Sequence, residues 1–452
     1  MTRATSLVTN YSWAPGLVKP VKLHSCRNYN LVRGGLMAAI VMLFLLAIVP
    51  AQAQQQPHTM TLDSVLQRIS KNNPMLQQYD YRARAMDAYA EGAKSWMAPM
   101  VGGGVYMVPY PGTEVMNESD KGSLMISAEQ SIPNPAKQRA KEKYMQSKAG
   151  IEQATKAVTY NELRAQAKTA YYNWVVLEKQ LDVLKDNERI MEFMLKVARI
   201  RYPYSQGKLG SIYKAEARLH EVQNMQEMVS TQIKQQNTQL NILMDMPQTT
   251  NYKIDTTIVV TLPTHHNQTV DSTYLASARS DIRQLDRTIE SMKLGVEMEK
   301  KERLPEFSLR FDHMYPRDKM MPQQYTAMGM ISIPLAPWSS KMYKANTKAM
   351  NLEVQAMQRE RKAMLNEAEG MAKNMALELN ALHHHIEKYT AKIIPALKKN
   401  YDVTMLAYEQ NNAQLPEVID AWEALNMAQM EYLQNLQQLY QMTVNYEKEI
   451  EK

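Results

Sequence analysis

The chain has 452 residues, a formal net charge of +7 and a single cysteine. Five of the positive charges (Arg3, Lys19, Lys22, Arg27 and Arg33) fall within residues 1–53, which hold no acid, so the remainder carries only +2. That balance gives no argument for a nucleic-acid partner, and with Cys26 in the same segment the rest of the chain has no thiol for disulfide or nucleophile chemistry.

Residues 1–53 read as a secretory leader with an extended N-region. Arg33 precedes an apolar run over 36–49, and Ala51-Gln52-Ala53 supplies the small residues of a cleavage site before Gln54. The run is shorter than the ~20 residues of a membrane-spanning helix, so export is expected rather than anchoring. Cys26 precedes the run and cannot become a lipidated first residue. No later stretch approaches a spanning helix, so any part that crosses a membrane must do so with strands closed into a barrel.

A first repeat covers 54–247. Residues 59–72 predict a short amphipathic helix with Leu62, Val65, Leu66 and Ile69 on one face; Asn72-Asn73-Pro74 ends it, and Pro74 suits the start of a second helix reaching about Ser95. A β-hairpin follows at about 96–132, with strands near 98–110 and 122–132. In its second strand Leu124, Ile126 and Ala128 alternate with Met125, Ser127 and Glu129. Pro133 and Pro135 end it and open a helical hairpin over about 136–245. The outgoing arm repeats apolar residues every 3.5 positions: Leu163, Ala167, Ala170, Trp174, Leu177, Leu181 and Leu184, one polar slot at Glu188, then Met191, Leu195, Ala198 and Tyr202. A second frame (Tyr144, Ile151, Val158, Ala165, Tyr172) falls every seven. Only Gly150 interrupts, and one helix here would span roughly 100 Å. A loop over 203–211 turns the chain, and Ile212, Ala215, Leu219, Val222, Val229, Ile233, Leu240 and Leu243 carry the beat back.

After a Thr-rich linker at 248–270, residues 271–452 repeat the unit: helices over 271–303, a β-hairpin at about 305–334 and a helical hairpin at about 339–450. The clearest period-2 run sets Phe307, Leu309, Phe311, His313 and Tyr315 against Glu306, Ser308, Arg310, Asp312 and Met314. Its partner strand lies near 324–334, where Ser332-Ile333-Pro334 repeats Ser131-Ile132-Pro133. Leu382, Ile386, Tyr389, Ile393 and Ala396 read as one stripe of the next helix, in which Pro395 predicts a kink. The loop at Gln410-Asn411-Asn412 turns the chain, and Val418, Ala421, Leu425, Ala428, Tyr432, Leu439, Met442 and Tyr446 close it. The copies lie about 200–206 residues apart, an internal duplication.

Two hairpins give four strands. The smallest outer-membrane barrels use eight, and open edges have no place in lipid. The strands are nevertheless of membrane length, about 10 residues, and Phe307, Phe311, Tyr315 and Tyr325 suit a lipid-facing surface. Sharing one barrel among three identical chains resolves the conflict with twelve strands.

The leader, the duplicated unit, the Ile-Pro exits after both second strands and the tips before the returning helices together resemble the TolC family of outer-membrane efflux channels over residues 59–450. The resemblance implies a mostly α fold with a small membrane β part: duplicated long coiled-coil helices plus a β-hairpin, a homotrimer forming a 12-stranded barrel in outer-membrane lipid and an α-helical tunnel in the periplasm. It implies no enzyme and no cofactor, but a passive exit duct for small toxic solutes, joined through a periplasmic adaptor to an inner-membrane pump. Copper or silver efflux and type I polypeptide secretion are alternative cargoes. A periplasmic adaptor or a coiled-coil spacer is the rival of another class, against which the paired hairpins argue.

At the second tip, Glu417-Val418-Ile419-Asp420-Ala421 fits the acidic pattern of that family's pore constriction. Glu417 and Asp420 lie three apart on one helix face, and threefold symmetry would make two carboxylate rings favouring cations; alternatively both acids merely suit a helix N-terminus. The first-copy equivalent, Ser211-Ile212-Tyr213-Lys214-Ala215, lacks the acids, and the family's basic latch position is Ala413 here. By the same resemblance Tyr204, Gly207, Leu209, Ser211, Tyr408 and Leu415 are the adaptor-contacting tip residues.

Thirty-five methionines stand against four phenylalanines. Met97, Met100, Met107, Met116 and Met125 gather on the first β-hairpin and Met314, Met320, Met321, Met328 and Met330 on the second. Soft thioethers bind Cu(I) and Ag(I), but gap-filling in helical cores, as at Met191 and Met442, is the preferred reading. His383-His384-His385 splay around a helix and read, like His265-His266, as exposed polar residues. No Gly-x-Ser-x-Gly, His-Glu-x-x-His or phosphate-cradling loop occurs, so no enzyme is expected.

Overall fold

A computed structural model describes residues 59–117, 121–205, 207–258, 270–319, 321–334 and 336–451. The leader, Met320 and His265-His266 lie outside the described residues. The first half runs β1 (Thr59–Met60), α1 (Leu62–Asn72), α2 (Pro74–Gly92), β2 (Met100–Tyr106), β3 (Ser123–Ile132), α3 (Pro135–Arg201) and α4 (Leu209–Leu243). After β4 (Lys253–Ile254) the second half repeats it as α5 (Ser272–Ala278), α6 (Ser280–Lys301), β5 (Glu306–Pro316), β6 (Gln324–Ser332), α7 (Pro337–Lys388), α8 (Ile394–Glu409) and α9 (Leu415–Ile450). No described helix is long and apolar enough to cross a membrane.

The first helix is shorter than its apolar pattern predicts. Thr61 caps α1, its hydroxyl accepting from the Ser64 amide, so residues 59–60 are free to pair in parallel with β4. Tyr171 of α3 pins this small sheet: its hydroxyl lies 3.0 Å from the Met60 carbonyl and accepts from the Asp255 amide at 3.1 Å.

The beam α3 is 67 residues long, started by Pro135 behind an Asn134 cap, and Gly150 does not break it. Leu163, Ala167, Ala170, Trp174, Leu177, Leu184, Met191, Leu195 and Ala198 are buried as the 3.5-residue beat requires, while Tyr202 is exposed past the helix end. Each fully buried Leu or Met side chain contributes about 1.5–3 kcal/mol. The polar slot has its own partner: Glu188 accepts from Gln223 at 2.9 Å and Gln226 at 2.8 Å on α4, and these hydrogen bonds hold its carboxyl below the usual range.

The second arm departs from the expected stripe. Between α7 and α8 the chain makes a π-turn at Tyr389–Ile393, with the Ile394 amide donating five residues back to Tyr389. Pro395 has no N–H and its ring crowds the preceding turn, and widening that turn by one residue relieves both without breaking the helix. The inserted residue shifts the frame. Ile393 and Ala396 are exposed, and Ile394, Leu397, Tyr401, Met405 and Tyr408 face the core instead.

A pH test follows from Glu188. Its depressed pKa contributes stability that is present above the ordinary carboxylate value and lost as pH falls through the folded value. Hydrogen exchange across the α3–α4 pair should therefore accelerate on acidification through that window, and the acceleration should be weaker in Glu188→Gln.

Candidate functional site

The four long strands form one antiparallel sheet in the order β2-β3-β5-β6, with Ala128 opposite both Val101 and Phe311, and Phe311 opposite Ala327. β2 stops at Tyr106, short of the expected 110, because Met107 takes a left-handed φ of 51°. Gly122 (φ 78°) closes the same turn, where an added Cβ would sit 2.6 Å from Val108. The two faces differ. Phe307, Leu309, Phe311 and Tyr315 of β5 point to the exposed side, with Leu124, Ile126 and Tyr325 beside them. Asp312, 4% exposed, points the other way and receives Arg310 Nε at 3.0 Å. Apolar side chains thus gather on one face and charged ones on the other, an alternation that suits a membrane barrel wall. Among the described residues β2 and β6 have no strand on their outer edges.

At the far end of the helices lie two tips. The first descends from α3 through a 3₁₀ turn at Tyr202–Tyr204 and a left-handed Ser205 to α4, which starts at Leu209. The expected loop to residue 211 is therefore shorter, and Leu209 and Ser211 are helical. The second turns at left-handed Asn411 into α9, whose capping box joins Gln414 and Glu417. A cleft of about 430 Å³ separates the tips, lined by Ser205, Gly207, Ser211, Asn412 and Glu417 among others.

Tyr204, Gly207 and Leu209 are exposed and Ser211 is half-buried, whereas Tyr408 and Leu415 are buried in the tip core beneath them. Glu417 and Asp420 are both exposed, but each already has a partner: Glu417 accepts from the Gln414 amide at 3.2 Å, and Asp420 accepts from Lys214 at 2.9 Å. Lys214 is the first-copy counterpart of Asp420, 206 residues earlier, so the duplication sets a cation against an anion at equivalent positions. Arg218 bridges Glu423 and Glu221, each at 2.6 Å, and these hydrogen bonds raise its pKa.

Sequence reasoning missed Arg201. Its guanidinium lies 4.5 Å over the Tyr408 ring and donates to the Tyr408 and Glu409 carbonyls at 2.5 and 2.8 Å, capping the last turn of α8 from the end of α3. A basic residue ending a helix is legible; that it caps a different helix is not. Beneath, Trp422 Nε1 donates to Asn187 Oδ1 and Asn187 Nδ2 to Asn426 Oδ1, both at 2.8 Å. His383-His384-His385 are exposed, and no group of three or more His, Cys, Asp or Glu among the described residues is placed to hold a metal.

Residues 65–244 match the family described as outer membrane efflux protein. The outer-membrane channel OprN is similar over 86% of this chain and 89% of its own, at 14% identity and a TM-score of 0.69. The outer membrane protein VceC from Vibrio cholerae is similar over 86% and 95%, at 14% identity and a TM-score of 0.66. The Campylobacter jejuni CmeC outer membrane channel is similar over 86% and 85%, also at 14% identity and 0.66. No curated protein matches by sequence. The likeness to TolC-type outer-membrane efflux proteins is thus carried by the family match in the first half and by the fold in both. The solved channels share this chain's fold, a four-stranded sheet at one end of long helices that end in two tips.

Arg201→Ala removes a fork that satisfies two carbonyls, at a cost of about 1–3 kcal/mol. Hydrogen exchange should rise selectively around residues 406–412, and Arg201→Lys should restore little of the protection because it lacks the planar fork.

Proposed function

We propose that three copies of this chain close a 12-stranded barrel and a helical tunnel below it, forming the exit duct of a tripartite efflux system for small toxic solutes. The observation that carries this reading is the match between the protomer's two open sides. β2 and β6 are the sheet's unpaired edges. The helices continuous with those edges carry exposed, coiled-coil-spaced apolar or small residues: Tyr81, Ala85 and Ala88 on α2, and Trp338, Met342, Ala345, Ala349 and Leu352 on α7. An apolar heptad stripe left in water calls for a partner helix. A head-to-tail contact of α2 on α7 and β2 on β6 closes after a whole number of copies, and twelve strands enclose a water-filled bore.

The tips are the docking end for the periplasmic adaptor, through Tyr204, Gly207, Leu209 and Ser211, with Tyr408 and Leu415 as the buried floor that shapes them. Glu417 and Asp420 form the constriction, with Lys214 partly neutralising the Asp420 ring. An exposed pair like this contributes only about 0–1 kcal/mol of stability, so its effect is read in the field of the pore.

Mass measurement in detergent should give a trimer, and planar bilayers should show a cation-preferring conductance. Lys214→Ala should strengthen that preference and the Glu417→Ala, Asp420→Ala pair should weaken it. A water-soluble monomer would end the proposal, and selectivity unmoved by all three changes would remove these residues from the constriction.

A further inference from the structure

Methionine is distributed over the membrane sheet by side. Side chains alternate between faces along a strand, and the register assigns Met100, Met125, Met314, Met328 and Met330 to the face that also holds Ser127, Arg310, Asp312 and Thr326. On the opposite face stand Val101, Val105, Leu124, Ile126, Ile132, Phe307, Leu309, Phe311 and Ile331. Within the four strands no methionine lies on that apolar face, and no Val, Leu, Ile or Phe lies on the polar one.

Packing accounts for methionines such as Met191, Met194 and Met244, each fully buried among helices. It does not account for this partition. If the polar face needed apolar bulk, Leu or Val would serve there as they do on the other side. What methionine alone adds to a wet wall is a polarisable sulfur lone pair, a ligand for soft monovalent cations.

The placement suits such a ligand. Met125 and Met314 are directly opposed across β3 and β5, and cross-strand Cβ atoms lie about 4.5–5.5 Å apart, within reach of one ion between two flexible thioethers. Met328 and Met330 follow on the same strand two residues apart, with Met100 at the other end of the Met328 row. Arg310, on the same face, is held by Asp312. From the helical end of the sheet to its loop end the methionines therefore form successive steps: Met330, then Met328 and Met100, then the Met125–Met314 pair.

We propose that this face is a thioether track for Ag(I) and Cu(I), with Met125 and Met314 as its principal station. The inference rests on the channel reading for its inward direction, but the thioether site itself does not.

Protein labelled with ¹³C in the methionine methyl groups, kept in detergent and chloride-free nitrate buffer, is titrated with silver nitrate while a parallel sample is followed in a planar bilayer. The Met125 and Met314 methyl signals should shift, and the doubly substituted Met125→Leu, Met314→Leu protein should bind Ag(I) about tenfold more weakly, since leucine keeps the bulk and removes the soft donor. Met191→Leu should bind like the parent. Ag(I) should also reduce potassium conductance in the parent and not in the double variant. Equal binding by parent and double variant, or shifts confined to methionines off this face, overturns the site. Methyl shifts with no conductance in any protein would uphold the site and reject the duct; conductance insensitive to Ag(I), with the two methyls unmoved, would do the reverse.

Discussion

A peptide N–H or C=O surrounded by hydrocarbon can be satisfied only by another peptide group. The larger sheet has four strands, and among the described residues β2 and β6 leave one row of such groups open on each side. β2 is entered from α2 and β6 passes into α7, so the open edges of the sheet and the exposed apolar stripes of the helices lie on the same two flanks. In the proposed assembly, barrel and tunnel are therefore one closure problem, which a single rotation would solve.

The long helices transmit that geometry over roughly 100 Å. A 3.5-residue stripe keeps α3 in contact with its neighbours along its length, and Glu188, the slot that breaks the stripe, is turned into a cross-link by Gln223 and Gln226. The second arm solves a harder problem. Pro135 and Pro337 open equivalent helices 202 residues apart, while Leu209 and Leu415 open the returning helices 206 apart. The second arm must absorb the excess, and the π-turn before Pro395 takes up part of it while exchanging one face of the helix for the next.

Duplication also shapes the chemistry of the tips. Two halves with the same order of elements meet at equivalent positions, and identical residues there would repel if charged. Lys214 stands in one and Asp420 in the other, and Arg201 of the first half holds the last turn of α8 in the second. These contacts tie the tips together with exposed or half-exposed charges, which solvent and salt can reach. In the sheet Asp312 and Arg310 share one face, while Phe307, Phe311 and Tyr315 are exposed on the other.

Periodicity and turn residues determined a great deal by themselves. Alternation in 306–315, the apolar beat from Leu163 to Ala198 and the repeated Ile-Pro exits depend only on local geometry, and they delivered the hairpins, the beam and the repeated order of elements. What they could not carry was anything decided between segments. Residues 59–60 became a strand because β4 lies beside them, and the stripe through Ile393 and Ala396 failed because one inserted residue, invisible in composition, moved the frame. Tyr408 and Leu415 lie under the tip surface, and Asp420 is partnered by a lysine 206 residues away. Nor does a list of ten hairpin methionines reveal that those in the strands share one face, since pairing register relates strands hundreds of residues apart. Local preference is a property of a few neighbouring residues; pairing, burial and charge compensation exist only once distant segments have been brought together.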